Sequence, residues 1–188
     1  MASDPQQRLT IAEYLAFERL SETRHDYLDG ETFAMAGASR NHNRITLNIA
    51  LALETALGDR DCEVFASEMR VVTPSQLFTY PDVVVACGPI QFDDSELDTL
   101  LNPVLVIEVL SKSTEAYDRV TKLSHYRTIP SLVEALLVAQ DKVHVEQLIR
   151  QSGTDWLFRE SDDLEASLEL PSVSCDLNLR RVYRKVFK

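Results

Sequence analysis

Two carboxylates in this 188-residue chain lie in strand-like segments where packing alone would not place them. Asp82 opens a run of three valines, and Glu108 lies inside the apolar run 104–110. A segment that is apolar at nearly every position is typical of a strand covered on both faces. An ionised carboxylate in such a strand is costly unless a cation compensates it. We therefore expect a metal ion, a lysine or an arginine to face Glu108.

Side-chain alternation along the strand directs Val104, Val106 and Glu108 to one face and the intervening residues to the other. A buried ion pair, or a glutamate that reaches water at the strand end, would also explain Glu108. We favour a functional site because carboxylates with perturbed pKa values cluster at such sites. Two carboxylates suit Mg²⁺ or Mn²⁺, which keep several waters and bind substrate phosphates.

The segment after Glu108 is predicted to be a helix that begins at Ser113 or Thr114 and ends near Arg127. It carries Asp118, Lys122, His125 and Tyr126. Asp118 and Lys122 are four residues apart, and the simplest interpretation is a surface ion pair. Because the helix directly follows the Glu108 strand, Lys122 can also return over the end of that strand.

Further upstream, Asp26 precedes a predicted turn and His42 lies near the start of a long helix. A single histidine at such a position is more often structural than catalytic. No dinucleotide-binding, P-loop, zinc-protease or serine-hydrolase motif is present in the sequence.

The elements that must position these residues form an α/β or α+β domain with a mixed sheet. Thr10 and Glu13 form a capping box before the first helix, and Asp29-Gly30 predicts a hairpin turn. A long helix from Ser39 to Leu57 is indicated by apolar residues at every fourth position, with Gly58 as its stop. The predicted strands cover residues 62–72, 80–86, 103–110, 133–139, 142–149 and 156–159.

Composition indicates one domain spanning residues 1–188, with a basic C-terminal helix over about 178–188. The 30 acidic and 19 basic residues give a formal net charge of −11, which argues against coating nucleic acid by charge alone. The three cysteines contain no CxxC pair, so neither a disulfide framework nor a zinc ribbon is predicted. The N-terminal residues are polar and no apolar run is long enough for a membrane helix, so we expect a cytoplasmic protein without membrane contact.

Several segments, taken in their order and spacing, resemble the Uma-type restriction-endonuclease-like family of the PD-(D/E)XK nuclease superfamily. These are HDYLDGE at 25–31, MAGAS at 35–39 with His42, YPDVVV at 80–85, PVLVIEVLS at 103–111, YDR at 117–119 and KLSHY at 122–126. The resemblance covers roughly residues 10–156. It implies a PD-(D/E)XK core, which is a mixed β-sheet flanked by helices.

The resemblance also implies that Asp82 and Glu108 are paired metal-binding acids and that Asp26 corresponds to an upstream acid that is often glutamate in the family. The superfamily usually has a lysine two residues after the second acid, where this chain has Leu110. In Uma-type proteins the lysine comes from the following helix, and here that residue is Lys122. His42, Asp118 and Tyr126 are the candidate supporting residues.

We therefore expect a Mg²⁺- or Mn²⁺-dependent endonuclease that hydrolyses DNA phosphodiester bonds, with Asp82, Glu108, Lys122 and Asp26 as catalytic residues. A homodimer is also expected, since dimers are common among nucleases that cut both strands. One alternative is a nuclease-like scaffold without activity, which Leu110 and the negative charge favour. Another is a small metabolic enzyme that uses the acid pair for other metal chemistry.

Overall fold

The structure is a computed structural model that describes residues 8–35, 37–93 and 95–187. The polar N-terminal residues 1–6, the second residue of the 35–39 motif and Lys188 of the basic tail lie outside the described residues. No helix in the described ranges is both long and apolar enough to cross a membrane.

Five α-helices and thirteen β-strands make up the described fold. The helices are α1 (Ile11–Leu20), α2 (Arg40–Leu57), α3 (Glu115–Tyr117), α4 (Leu123–Tyr126) and α5 (Leu179–Val182), and a π-helical turn (Asp118–Lys122) joins α3 to α4. The strands of the first half are β1 (His25–Leu28), β2 (Glu31–Ala34), β3 (Cys62–Ala66), β4 (Arg70–Val72), β5 (Phe78–Thr79), β6 (Val83–Cys87), β7 (Thr99–Leu100) and β8 (Leu105–Leu110). The second half adds β9 (Glu134–Ala139), β10 (Val145–Arg150), β11 (Trp156–Ser161), β12 (Ser167–Leu170) and β13 (Cys175–Asn178).

The central sheet has six strands in the order β11-β10-β9-β8-β6-β3. Its strands pair antiparallel except β8 and β9, which are parallel and are connected through the 115–126 helical segment. A second sheet has the order β2-β1-β5-β4-β7, and β12 and β13 form a separate hairpin. The predicted mixed sheet with flanking helices is confirmed.

The central sheet is covered on both faces, which explains its continuous apolar runs. Helix α2 packs Ile45, Ile49, Leu53 and Leu57 against one face, together with the C-terminal hairpin and α5. The opposite face packs against residues that include Tyr126 and the turn that follows α4. Alternate residues of β8 enter the two clusters, so alternation within the strand separates the faces as predicted. The prediction is wrong for Val104, which precedes β8 and packs with the cluster under α2 rather than with Val106.

The local signals of the first half are confirmed in detail. Thr10 and Glu13 exchange both hydrogen bonds of the capping box at the start of α1. Asp29 and Gly30 adopt positive φ values of 51° and 89° at the β1–β2 turn, as a tight hairpin turn of this kind requires. The side chain of Ser39 caps α2 through the His42 amide, and Gly58 ends the helix.

The prediction of a C-terminal helix over about 178–188 is wrong in extent. Helix α5 contains only Leu179–Val182, and β13 occupies the residues before it. The Asn48 side chain of α2 donates hydrogen bonds to the Val182 and Arg184 carbonyls at 2.8 and 2.9 Å. Lys185 adopts a φ of 63°. Both features end the helix, because those carbonyls bond to a side chain and the left-handed residue cannot continue a right-handed turn.

The prediction that the cysteines support no disulfide also needs correction, because Cys62 and Cys87 are bonded. They are cross-strand partners in the β3–β6 register, with Cα atoms 4.0 Å apart. Their 25-residue separation gave no short-spacing signal, since only the pairing of the two strands brings them together. Cys175 is free and half-buried.

Candidate active site

The pairing of β6 with β8 places Asp82 beside Glu108 at one end of the central sheet. Val83 is opposite Ile107 in this antiparallel register, so the next position along brings Asp82 to the level of Glu108. The Val109 amide donates a 2.7 Å hydrogen bond to Asp82 Oδ2, which fixes this carboxylate against the neighbouring strand. The two predicted metal-binding acids are therefore adjacent.

Glu108 is held by two side chains of the helical segment that follows its strand. The Tyr126 hydroxyl donates a 2.5 Å hydrogen bond to Glu108 Oε1, and Lys122 Nζ lies 3.3 Å from the same oxygen. The Glu108 residue is 3% exposed. Burial raises the pKa of Glu108 above its ordinary value, and the positive charge of Lys122 opposes part of this increase.

Lys122 lies among the carboxylates of Glu108, Asp118 and Asp26, and we call these four residues the cluster. The lysine Nζ lies 3.6 Å from Asp118 Oδ1 and 3.8 Å from Asp26 Oδ2, in addition to its contact with Glu108. Burial alone would lower the pKa of Lys122, but the surrounding carboxylates, Glu108 first, raise it above its ordinary value. The ammonium therefore stays charged although the side chain is buried.

The simple interpretation of Asp118 and Lys122 as a surface ion pair is wrong, because both residues are buried. They lie in the π-helical turn, which is wider than an α-helical turn and is frequently found at functional sites. Val120, in the middle of this turn, is 69% exposed. The turn thus directs its two charged ends inward and its middle outward. Burial raises the pKa of Asp118, while Lys122 opposes the increase.

Asp26 approaches the same cluster from the β1–β2 hairpin. One of its oxygens, Oδ2, contacts Lys122, whereas Oδ1 is buried and has no hydrogen-bond partner among the described residues. The buried Tyr117 hydroxyl is likewise without a partner there. Burial and the nearby charge of Asp26 both raise the pKa of Tyr117. Asp26 Oδ1 is therefore a buried carboxylate oxygen to which no described residue donates a hydrogen bond.

His42 reaches Asp82 from the first turn of α2. Its Nε2 lies 3.2 Å from Asp82 Oδ2, on the oxygen that also accepts from Val109. Burial lowers the pKa of His42, but the hydrogen bond and charge of Asp82 outweigh this and raise it overall. The structure thus brings all seven predicted site residues together, while their catalytic roles remain predictions.

These side chains border a cavity of about 810 Å³, which we call the acidic cavity. Its walls come from the β1–β2 hairpin, the start of α2, the ends of β6 and β8, and the 111–122 segment. Its described lining contains six acidic residues but only two basic ones, Arg24 and Lys122, besides His42. The lining charge is therefore strongly negative before any ligand binds.

The donor set fits a hydrated divalent cation. Within the described residues, contacts to Glu108 use Oε1 and those to Asp82 use Oδ2, which leaves one oxygen of each carboxylate for a ligand. No group of three or more His, Cys, Asp or Glu side chains in the described ranges has the arrangement of a complete metal site. Mg²⁺ commonly uses only one or two carboxylates, with waters and substrate phosphates as the other ligands.

Tyr117 and Gln140 both line the acidic cavity, although neither was predicted from the sequence to have a role there. Tyr117 lies within the resembling segment at 117–119, but nothing in its spacing distinguishes it from a core aromatic residue. Gln140 follows β9, and it lies at the site because β9 is the neighbour of β8 in the central sheet. Its Nε2 donates a 3.0 Å hydrogen bond to the Leu110 carbonyl, and the Ser39 hydroxyl donates to its Oε1.

Two curated relatives cover almost the whole chain. "Uncharacterized protein sll1609" of Synechocystis sp. is 39% identical over 162 residues, which are 86% of this chain and 92% of the relative. "Uncharacterized protein slr1290" of the same organism is 35% identical over 186 residues, which are 97% and 95% of the two chains.

A solved structure supports the fold assignment. It is described as the crystal structure of "a putative nuclease belonging to DUF820" from Anabaena variabilis, and it matches with a TM-score of 0.71 at 18% identity. The match covers 95% of this chain and 99% of that one, so the two share a restriction-endonuclease-like fold.

The family model described as "Uma2: Putative restriction endonuclease" matches residues 11–180. This range contains every residue of the carboxylate and lysine cluster. The chain therefore belongs to the Uma2 family.

Proposed function

We propose that this protein is a nuclease that hydrolyses DNA phosphodiester bonds with Mg²⁺ or Mn²⁺ held by Asp82 and Glu108. The observation that carries the proposal is the side-by-side arrangement of these two acids on paired strands at the edge of a cavity. Membership of the family supports the same class of activity.

The protein's own residues divide the work of the site. Val109 and His42 hold one oxygen of Asp82, and Tyr126 and Lys122 hold one oxygen of Glu108, so both carboxylates are oriented before substrate arrives. A bound divalent ion would polarise the scissile phosphate and lower the pKa of the attacking water.

Lys122 supplies the positive charge that Leu110 cannot provide at the superfamily's usual lysine position. In a dry site, a fixed ammonium stabilises the negative charge that develops on the phosphate more strongly than water would. Asp26 and Asp118 hold this ammonium from its other sides, so they act as positioning residues for Lys122.

The direct test is incubation of purified protein with supercoiled and linear DNA. We expect cleavage in Mg²⁺ or Mn²⁺ and none in excess chelator, with activity restored when the ion is returned. RNA of the same sequence tests the choice of substrate. Absence of cleavage of either nucleic acid with every divalent ion tried would contradict the proposal.

An inactive scaffold is the second candidate, and the contact of Lys122 with Glu108 favours it. A lysine already paired with the acid could substitute for the metal charge rather than work beside it. Calorimetric titration with Mg²⁺ and Mn²⁺ separates the two candidates. A scaffold neutralised by its own lysine should bind no divalent ion, whereas the nuclease should bind one that is lost in Glu108→Gln.

The proposal includes a homodimer, because coordinated cleavage of both DNA strands requires two sites. Light scattering coupled to size-exclusion chromatography would give the mass in solution, and a monomer at all concentrations would remove this part of the proposal.

It also includes a cytoplasmic location. Disulfides are rare in the reducing cytosol, so the redox state of Cys62 and Cys87 in cells provides a test. If the protein is cytoplasmic, rapid thiol trapping should find both cysteines reduced in cells, so that the bond between them forms only on oxidation. A bonded pair in cells would contradict the location.

A further inference from the structure

A second cavity of about 570 Å³ adjoins the acidic cavity, and we call it the basic cavity. Its charged lining consists of Lys112, Arg119 and Lys142 with the acids Glu115 and Asp141. The balance of charge is therefore positive, although the protein as a whole carries a net charge of −11.

The two lysines supply the free charge of this cavity. Arg119 is already held by Glu115 and Glu146. By contrast, neither Lys112 nor Lys142 forms an ion pair with any residue that the structure describes. Both side chains are exposed, so their ammonium groups are available to an anion.

The two cavities are continuous through shared residues. Ser111, Ser113 and Gln140 line both of them. Gln140 is fixed in place, since its side chain bonds to Ser39 and to the Leu110 carbonyl, and its own carbonyl accepts from Asn41 at 3.3 Å. A rigid, polar border between the cavities allows one extended ligand to occupy both.

We propose that the basic cavity binds a phosphate of the nucleic-acid strand next to the scissile one, through Lys112 and Lys142. This inference rests on the proposed nuclease function and adds a strand-positioning site to it. The ligand class is a sugar–phosphate polyanion, because a small single anion would not need the continuity with the acidic cavity. Phosphate contacts of this kind set register without reading sequence.

The site also explains how an acidic protein could hold DNA. The acidic cavity repels phosphates unless a divalent ion is bound there, whereas the two lysines attract the backbone independently of that ion. The lysines should therefore contribute to affinity and to KM, while turnover of the bound substrate depends on Asp82, Glu108 and Lys122.

The experiment compares the wild type with the Lys112→Gln/Lys142→Gln double variant. Arg159→Gln is the charge-matched control, because Arg159 is exposed on the edge strand β11 and lines neither cavity. Binding of a fluorescent phosphorothioate duplex is measured in Ca²⁺ over a range of salt concentrations, so that cleavage does not remove the probe. KM and kcat on unmodified DNA are measured separately in Mg²⁺.

The double variant should bind about tenfold more weakly at low salt, and the slope of log affinity against log salt should fall by about 1 for each lysine. Its KM should rise with kcat unchanged, and the Arg159→Gln variant should match the wild type. A double variant with the affinity and salt slope of the control would overturn this inference while leaving the nuclease proposal intact. A wild type that binds no duplex would overturn both.

Discussion

Two buried glutamates on adjacent strands have different surroundings in this protein. Glu108 on β8 and Glu134 on β9 are 3% and 0% exposed, and both lie in apolar strands of the central sheet. Glu134 shares its face with Leu136 and Val138, which belong to the cluster under α2, whereas Glu108 contacts Tyr126 on the other face. Burial raises the pKa of both carboxyl groups.

The difference lies in how each carboxylate is satisfied. Glu134 Oε1 accepts from Gln147 at 2.6 Å, and Oε2 accepts from the amide and hydroxyl of Ser172 at 3.2 and 2.6 Å. Both oxygens are thus occupied by neutral donors. The described contacts of Glu108 use one oxygen only, involve the charged Lys122, and border a cavity. Burial alone therefore does not distinguish the two acids, whereas the unused oxygen of Glu108 and its contact with a cation do.

Exchanging each glutamate for glutamine gives the largest expected contrast. Under the proposed function, Glu108→Gln removes a charge that would bind the metal ion, so DNA cleavage should fall by about 100-fold or more. Glu134→Gln should leave kcat and KM unchanged but lower the free energy of unfolding by about 1–3 kcal/mol, since a glutamine nitrogen cannot accept from Ser172 or Gln147. Cleavage assays and urea unfolding of both variants provide the check. Equal loss of activity in the two would refute the contrast.

Removing the Lys122 cation should lower the free energy of unfolding through the Glu108 cluster and leave the contacts of Glu134 intact. Lys122→Met leaves Glu108, Asp26 and Asp118 without their shared partner, and breaking such a buried pair costs about 3–5 kcal/mol. Because the carboxyl groups can become neutral, the loss should be smaller at pH 5 than at pH 8. Urea unfolding at both pH values measures this effect. A uniform loss at both would mean that Lys122 stabilises the fold by packing rather than by charge.

The effect of added metal on the melting temperature, measured as a function of pH, should distinguish the Glu108 carboxylate from that of Glu134. A carboxyl whose folded pKa is raised stabilises the protein fully below its unfolded pKa of about 4.5, and this contribution is lost as pH rises through the folded value. Under the proposed function Mg²⁺ would bind the ionised form, so it should raise the melting temperature most at pH 8. Glu134→Gln should respond to Mg²⁺ like the wild type, and Glu108→Gln should not respond.

The smallest effect is expected at His42, which contacts Asp82 rather than either glutamate. His42→Gln keeps a nitrogen donor near Asp82 Oδ2 but loses the charge, and we expect a fall in kcat of less than about tenfold. His42→Ala, which leaves that oxygen with the Val109 amide alone, should lose more.

The folded pKa of His42 is raised, so its contribution to stability is present below about pH 6.5 and is lost as pH rises through the folded pKa. The free energy of unfolding of both variants and of the wild type, measured across this pH range, should show that the difference between them shrinks as pH rises.

Local signals in the sequence were sufficient for most elements of the fold. The capping box at Thr10, the Asp29-Gly30 turn and the four-residue apolar repeat of α2 are short-range features, and each appears as predicted. The family resemblance added the mixed sheet with its flanking helices. The C-terminal helix and the cysteine prediction failed because the Asn48 contacts and the β3–β6 pairing join residues far apart in the chain.

For the site, the sequence by itself determined that Asp82 directly precedes one apolar strand, that Glu108 lies within another, and that Lys122 follows on the next helical segment. The burial argument made for Glu108 applies equally to Glu134, and only the family resemblance assigned Glu108 a role. The tertiary structure supplies the physical difference, by placing Ser172 and Gln147 around the Glu134 carboxylate and Lys122 with a cavity beside that of Glu108. The physical reason is that the cost of a buried charge depends on its partners, and these come from distant parts of the chain.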